Sequence, residues 1–271
     1  MRLFLAGVLL AVGGFSAALE LRTELPTTTT PGALVFGRTE AGATVTFEGR
    51  ALRVARDGSF LFGLGRDVAG TARIDVRYRD GTTATLQIPI KAREFAIERV
   101  DGLPDSTVNP DPKLAERIAR EQVLVAKARE RDDARQDFRF GFRWPNQGRI
   151  SGLYGSQRIL NGTPKNPHYG VDIAVGTGTP IHAPAGGIIS FVAKDLYLTG
   201  GTVIIDHGHG LSSVFVHMSR IDVRPEQAIK QGETIGAVGA TGRATGPHLH
   251  WGMNWFETRL DPQLVVGPMP K

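Results

Sequence analysis

Residues 186–218 read GGIISFVAKDLYLTGGTVIIDHGHGLSSVFVHM, and this segment is the strongest indication of the fold class. Short runs rich in β-branched side chains alternate here with glycine-rich turns, which is the pattern of β-strands joined by tight connections. Similar composition extends from residue 149 to residue 268. We therefore predict a β-rich domain over residues 149–268.

Outward from this domain, residues 33–100 alternate apolar and polar side chains with a period of two. Ile74 and Val76, for example, are separated by a charged residue, as expected of a strand with one buried face. Asp-Gly pairs at 57–58 and 80–81 stand between such runs and suit hairpin turns. The pattern predicts a small N-terminal β-sandwich that acts as an accessory domain.

A helix over residues 112–134 is predicted between these two parts, within a linker that spans 101–148. Asp111 can cap this helix, and Pro112 suits its first position, where a missing N–H costs nothing. Opposite charges lie three or four residues apart on its outer face, so we interpret it as solvated and predict no nucleic-acid partner. The fold class is thus mainly β, with one linking α-helix.

The first 18 residues are typical of a secretory signal peptide. Arg2 is followed by an apolar run from Leu3 to Val12, and small residues stand at 16–18. The run is shorter than the roughly 20 residues that a membrane-spanning helix needs. We predict a cleaved signal, export to the periplasm or cell envelope, and only transient membrane contact through this segment. An uncleaved anchor is the alternative.

Composition excludes several kinds of site. The chain has no cysteine, which rules out disulfide frameworks, thiolate zinc fingers, iron–sulfur clusters and cysteine nucleophiles. Any metal site must therefore use His, Asp or Glu. The formal net charge of +5 fits an anionic partner such as a cell-wall polymer but does not choose among anionic partners. No feature of the sequence predicts an oligomeric state.

All seven histidines lie between residues 168 and 250. His168 and Asp172 form an H-x-x-x-D element, whose two side chains can reach one ion only if the chain bends, which glycine at position 170 permits. His248 and His250 form an H-x-H element, and residues two apart on a strand share a face. His217 adds a histidine at the end of an apolar run.

Neutral imidazoles and carboxylates are good zinc ligands, and three protein ligands leave a fourth position for water. The chain offers more candidate histidines than such a site needs, so two of them could act as acid, base or hydrogen-bond donors. No H-E-x-x-H glutamate is present, so proton transfer would fall to a histidine.

Residues from about 149 to 266 resemble the M23 zinc metallopeptidases, the lysostaphin-like or LytM-type peptidoglycan endopeptidases. Residues 33–100 and the linker resemble the accessory part of their Gram-negative envelope members. The matching pieces appear in the same order and at similar separations: SGLYGSQR at 151–158, His168 to Asp172, GTP at 178–180, APAGG at 183–187, GHGL at 208–211, FVHM at 215–218, GETIGAVGATG at 232–242 and TGPHLH at 245–250.

This resemblance implies a zinc-dependent endopeptidase that hydrolyses stem-peptide cross-links of peptidoglycan. It implies that His168, Asp172 and His250 bind the zinc ion, and that His217 and His248 are catalytic residues flanking the reacting water. Which of these two histidines is the general base stays open. Three alternatives stay open. The first is a non-catalytic LytM-like activator of other wall hydrolases, which the intact motif disfavours. The second is a D-Ala-D-Ala-type dipeptidase, which uses similar ligands with a longer first spacing, and the third is a purely adhesive protein without metal.

Other candidates receive structural interpretations. We expect His182 to be a turn or surface residue. His207 and His209 are expected to flank a hairpin turn. The minor alternative is that these two histidines and Asp206 form a second metal site. Three aromatic residues after the H-x-H element are expected to pack in the core or, alternatively, to line a substrate groove: Trp251, Trp255 and Phe256. Tyr154 and Arg158 could be structural or touch substrate. The polar segment 159–167 is predicted to be a loop at the groove.

Overall fold

The computed structural model describes residues 22–102 and 111–270. The predicted signal segment at 1–18 lies outside the described residues. Within the described ranges the strands form four sheets and the helices are few, which confirms the mainly β class. No helix in these ranges is long and apolar enough to cross a bilayer.

Two antiparallel sheets form the N-terminal part, as the alternating pattern predicts. One has the order β1-β2-β5, and the other has the order β4-β3-β6-β7. The strands are β1 Thr23–Glu24, β2 Leu34–Thr39, β3 Thr44–Phe47, β4 Arg50–Leu52, β5 Ser59–Gly63, β6 Thr71–Arg77 and β7 Thr83–Pro89. On β6 every second residue is buried, so the period-two pattern of the sequence marks its core face.

A sheet of ten strands forms most of the C-terminal part. Its main path runs β17-β14-β15-β16-β19-β12-β9, with β13, β18 and β20 attached beside it. The strands are β9 Arg149–Gly152, β12 Val171–Ala174, β13 Pro180–His182, β14 Gly187–Leu196, β15 Gly200–Gly208, β16 Leu211–Ile221, β17 Ala228–Ile229, β18 Thr234–Val238, β19 Leu249–Trp255 and β20 Thr258–Leu260. The glycine-rich stretch used for the fold prediction supplies β14, β15 and most of β16.

A third small sheet links the two parts. Strand β8 (Ile97–Val100) pairs in parallel with β10 (Gln157–Leu160), which in turn pairs with β11 (Thr163–Pro164). The segment 159–167 is therefore partly a hairpin rather than the predicted loop. Its turn falls at Asn161 and Gly162, both with positive φ, which is the geometry of a tight hairpin.

Helix α1 spans Pro112–Ala128 and is capped by the side chain of Asp111, which accepts a hydrogen bond from the Leu114 amide at 3.0 Å. The cap was predicted, but the helix ends six residues before position 134. The chain beyond it has no regular secondary structure and makes tertiary ion pairs, such as Arg131 with Glu226 at 2.8 Å. These contacts outweigh the helical propensity of the segment. A short second helix, α2, spans Gln263–Val266.

The underside of α1 packs on the C-terminal sheet. Val125 and Ala128 contact a cluster formed by Ile204, Val214 and Val216. By cross-strand register, Val216 lies opposite His250. The linker helix therefore covers the same face of the sheet that carries one of the predicted metal ligands.

The N-terminal sheets and the C-terminal sheet share one apolar core. Phe47 of β3 lies with its ring centre 6.1 Å from that of Trp255 on β19, and both side chains are buried. Burial of large aromatic rings across this contact contributes strongly to stability.

One glycine of the N-terminal part gives a sharp stability prediction. Gly58 has a φ of 83°, and a Cβ there would stand 1.8 Å from the carbonyl oxygen of Thr39. Gly81 has the same φ but no atom within 4 Å of the added carbon. Gly81→Ala should therefore cost only the left-handed strain of about 1 kcal/mol, whereas Gly58→Ala should cost at least about 2 kcal/mol more because the backbone must shift.

Calorimetric melting of the two variants checks this difference. We expect Gly58→Ala to melt clearly below Gly81→Ala. Equal melting temperatures would show that the turn at Gly58 is not packed against Thr39 as described.

Candidate metal centre and flanking histidines

Strand pairing brings two of the three predicted metal ligands together. Asp172 on β12 lies directly opposite His250 on β19 in the antiparallel register. Directly paired residues point to the same face of a sheet. The Nδ1 atom of His250 lies 2.8 Å from Oδ1 of Asp172. Residues 78 positions apart in the chain thus share one site.

His168 reaches the same point from the segment before β12. Its Nε2 atom lies 3.0 Å from Asp172 Oδ1 and 2.9 Å from His250 Nδ1. The predicted bend occurs at Gly170, which has a second role that the sequence did not indicate. A Cβ at this position would lie 2.6 Å from Nε2 of His250, so a side chain there would displace a predicted ligand.

The donor set fits a catalytic zinc ion. In the described part of the chain, His168, Asp172 and His250 are the only group of three or more side chains placed to hold a metal. Ligands at about 2.1 Å on a tetrahedron lie about 3.4 Å apart, and the donor atoms here are 2.8 to 3.0 Å apart. Three donors leave one position for a substrate or water.

The charges of the site suit metal binding. Burial alone would raise the pKa of Asp172, but hydrogen bonds with His168 and His250 outweigh it and hold that pKa well below its usual range. Burial lowers the pKa of His250. At neutral pH the site therefore offers a carboxylate and a neutral imidazole, which are the forms that coordinate metals.

The two remaining predicted histidines lie beside this group with their rings fixed by backbone carbonyls. His217 Nδ1 donates to the Thr241 oxygen at 2.7 Å, and His248 Nδ1 donates to the Gly246 oxygen at 2.8 Å. The ring centres of His217 and His248 are 4.7 Å apart. Because each Nδ1 carries the proton, each Nε2 keeps its lone pair.

His217 is held in an unusual backbone conformation. Its φ is 63°, within a strand whose pairing shifts nearby. For a residue other than glycine this conformation costs about 1–2 kcal/mol. The side chain is 9% exposed, and burial lowers its pKa to about 4, so the imidazole is neutral at physiological pH. Strain of this kind often marks a functional residue.

Comparison with known proteins agrees with this geometry. Residues 166–262 match the model of peptidase family M23, and these residues contain the five histidine and aspartate side chains described above. A crystal structure from Pseudomonas aeruginosa, described as a peptidase M23, superposes with a TM-score of 0.70 at 28% identity, covering 89% of this chain and 96% of that one. Residues 166–262 therefore form a peptidase M23 domain.

Curated relatives of the M23 domain include a peptidoglycan endopeptidase and a cell division protein. The chain is 36% identical over 104 residues to the peptidoglycan DD-endopeptidase ShyA of Vibrio cholerae, covering 38% of this chain and 24% of ShyA. It is 33% identical over 197 residues to the cell division protein DipM of Caulobacter vibrioides, covering 73% of this chain and 31% of DipM. The matched region thus spans about a quarter to a third of these relatives.

The other three histidines of the M23 domain are not part of the group of side chains placed to hold a metal. His207 lies fully buried within β15, where Nδ1 donates to the Gly186 oxygen at 2.6 Å and Nε2 accepts from Ser213 Oγ at 2.9 Å. His209 begins the predicted hairpin turn, with a φ of 51°. The minor alternative of a metal site at Asp206 finds no support among the described residues. His182 is partly exposed but lies on strand β13 rather than in a turn.

Buried His207 makes stability depend on pH. Burial lowers the pKa of its imidazole from 6.5 to about 4. The unfolded chain therefore binds a proton at a higher pH than the folded protein, and acid favours unfolding. Relative to His207→Gln, wild type should lose on the order of 3 kcal/mol of stability at most as the pH falls from about 6.5 to about 4.

Denaturant titration of both proteins at several pH values measures this difference. Groups such as Asp206 titrate in both proteins, so the difference isolates His207. A difference that stays constant over the whole pH range would refute the buried neutral imidazole.

The structure favours core packing over a substrate groove for the aromatic candidates. Trp251 and Trp255 are buried, and the hydroxyl of Tyr154 donates to the Arg259 carbonyl at 2.9 Å instead of facing a groove. The side chain of Arg158 lies outside what the structure describes. Sequence reasoning missed the carbonyls that orient the rings, such as those of Leu153 and Thr241, because a backbone oxygen leaves no residue-type signal.

Proposed function

We propose that this protein is a zinc-dependent endopeptidase that hydrolyses peptide cross-links of peptidoglycan. The observation that carries the proposal is the meeting of His168, Asp172 and His250 at donor separations of 2.8 to 3.0 Å, beside two histidines whose Nε2 lone pairs are available. This combination provides a metal site with an open position and a base next to it.

The chain's own residues divide the work of hydrolysis. A bound zinc ion supplies Lewis acidity, which polarises a carbonyl and lowers the pKa of water. Nε2 of His217 or His248 accepts a proton from the attacking water as the new C–O bond forms. The same proton then passes to the leaving amine nitrogen as the C–N bond breaks. The other histidine orients the water or the developing oxyanion.

Both histidines are prepared for this role by their backbone hydrogen bonds. The carbonyls of Thr241 and Gly246 fix the Nδ1–H tautomers, so no ring rotation or tautomer change precedes proton transfer. Nε2 of His248 lies 3.9 Å from Asp172 Oδ1, which puts that nitrogen beside the metal-binding atoms.

Peptidoglycan as substrate is supported by two observations. Relatives such as ShyA are named peptidoglycan DD-endopeptidases, and the net charge of +5 suits an anionic wall polymer. We also propose that the protein acts in the periplasm or cell envelope, since residues 1–18 have the pattern of a signal peptide.

Digestion of purified peptidoglycan tests the proposal. Mass spectrometry of the released fragments should show cleaved cross-links with the zinc-loaded protein and none after chelation, with activity returning on addition of zinc. Fragments that are identical with and without the protein, under conditions where zinc is bound, would contradict the proposed activity and favour the non-catalytic activator.

A further inference from the structure

A turn over residues 153–156 holds both the backbone and the ring of the predicted ligand His168. The amide of Gly155 donates to the His168 carbonyl at 2.8 Å, and the His168 amide donates to the Ser156 carbonyl at 2.8 Å. The ring is held as well, because its Nδ1 donates to the Leu153 carbonyl at 3.0 Å. With the proton on Nδ1, the Nε2 lone pair is left for a metal.

The turn has a defined geometry of its own. The Leu153 carbonyl accepts a second hydrogen bond from Ser156 Oγ at 3.0 Å. Gly155 has a φ of 84°, which the third residue of a type II turn requires. The carbonyl that orients the ring of His168 therefore moves only if the whole turn moves.

His168 depends on this turn more than the other two predicted ligands do. Asp172 and His250 lie on paired strands of the ten-stranded sheet, so the ladder hydrogen bonds fix their backbones. His168 precedes β12 and belongs to no strand. Its backbone is fastened to the turn instead, so whatever supports the turn also supports this ligand.

Two residues of the N-terminal part support the turn from outside. Arg66, shortly after β5, donates from Nε to the Gly155 carbonyl at 2.8 Å, while its Nη1 pairs with Asp67. The ring of Phe95 lies directly against the turn, since a Cβ at Gly155 would overlap it. The guanidinium carbon of Arg66 lies 4.5 Å from the ring centre of Phe95, so the two side chains also contact each other.

The chain after Phe95 continues this contact. The Ala96 carbonyl accepts a hydrogen bond from the amide of Gln157 at 2.8 Å, and β8 then pairs with β10. Arg66 and Phe95 both lie outside residues 166–262, which match the M23 model. The metal centre therefore has a supporting layer that comes from another part of the chain.

We propose that Arg66 and Phe95 are positioning residues for the metal ligand His168. They fix the turn over residues 153–156, and the turn fixes the backbone and the ring of the ligand. The N-terminal part is then a component of the metal centre rather than a spacer. This inference rests on the proposed function for the identity of the metal, but zinc affinity measures it without any cleavage.

Competition with a chelating indicator measures the zinc affinity of the full chain and its variants at 25 °C. Arg66→Met removes the Nε donor and keeps most of the side-chain length. We expect zinc to bind about tenfold more weakly, at the low end of the range for loss of a group that orients a ligand. Arg66→Lys should recover part of the loss, because an ammonium can donate to the Gly155 carbonyl but lacks the planar group that lies over Phe95.

Arg38→Met is the matched control. Arg38 is an exposed arginine of β2 whose Nε donates to the Asp57 carbonyl at 3.2 Å, so the substitution removes the same kind of bond at another place. Its zinc affinity should equal that of wild type. If Arg66→Met binds zinc as tightly as Arg38→Met does, the proposal is overturned. A lower melting temperature of the zinc-free Arg66→Met protein would not rescue it, because that result describes a purely structural arginine.

Phe95→Leu gives a second test, which also serves if Arg66→Met does not fold. Leucine keeps an apolar side chain but removes the ring that lies on the turn. Zinc should bind about threefold more weakly, the effect expected from loss of an exposed cation–π contact. Unchanged zinc affinity in Phe95→Leu would overturn the role of this residue.

The double variant tests whether the two residues act on the same turn. Once Arg66 is replaced, the turn is already displaced, so the further change of Phe95 should cost less zinc affinity than it does alone. Losses that multiply in full would show two independent effects and would overturn the shared support.

These results are separable from the proposed function. A protein whose zinc affinity falls in Arg66→Met but not in Arg38→Met, and which cleaves no peptidoglycan, keeps the positioning role and loses the peptidase. A protein that cleaves cross-links while both variants bind zinc equally keeps the peptidase and loses the positioning role.

Discussion

His250→Ala should purify without zinc and should cleave peptidoglycan at least about 10³-fold more slowly than wild type. The Lewis acidity of a bound ion is worth several kcal/mol of transition-state stabilisation, and each 1.36 kcal/mol changes the rate about tenfold. Removing this imidazole leaves only His168 and Asp172 as ligands. Metal analysis by mass spectrometry, together with a peptidoglycan digestion assay, measures both losses in one preparation.

His182→Ala is the matched control for this variant. His182 is a partly exposed histidine whose Nδ1 donates to the Gly232 carbonyl at 3.1 Å, and it is not part of the group of side chains placed to hold a metal. The variant His182→Ala should retain one zinc ion per chain and should cleave peptidoglycan at the wild-type rate. Zinc bound at full occupancy in His250→Ala would show that the metal-binding group is not the one described.

His217→Asn should reduce cleavage by about 10²- to 10⁴-fold while zinc stays bound, which is the usual range for loss of a general acid–base group. Asparagine tolerates the left-handed backbone at this position better than alanine does. Its side-chain amide can also donate to the Thr241 carbonyl in place of Nδ1. The substitution therefore removes the basic nitrogen with little other change.

The split between metal content and rate separates His217 from the ligands. His250→Ala loses zinc and activity together, whereas His217→Asn loses activity alone. If His217→Asn cleaves at the wild-type rate, the histidine is structural and proton transfer belongs to His248 or to another group.

The convergence of the site was predictable because its residues carry strong local signals. The H-x-H spacing of His248 and His250 fits one face of a strand, and the structure places both near Asp172. The bend that His168 requires was predicted from Gly170. Each inference needed only the period of a strand or the freedom of a glycine.

Features that depend on tertiary contacts were not predictable. Helix α1 ends at Ala128 because the following residues form ion pairs with distant residues, such as that of Arg131 with Glu226. Helix propensity depends only on the local residue types, so it does not predict these contacts. The pairing of β8 with β10 is parallel and joins positions about 60 residues apart.

A zinc-edge anomalous difference map from crystals of the zinc-loaded protein tests directly which side chains hold the metal. It should show one strong peak per chain, at about 2.0–2.2 Å from His168 Nε2, Asp172 Oδ1 and His250 Nδ1. A map without a peak at this position, or with a peak next to other residues, would show that these three side chains do not hold the metal.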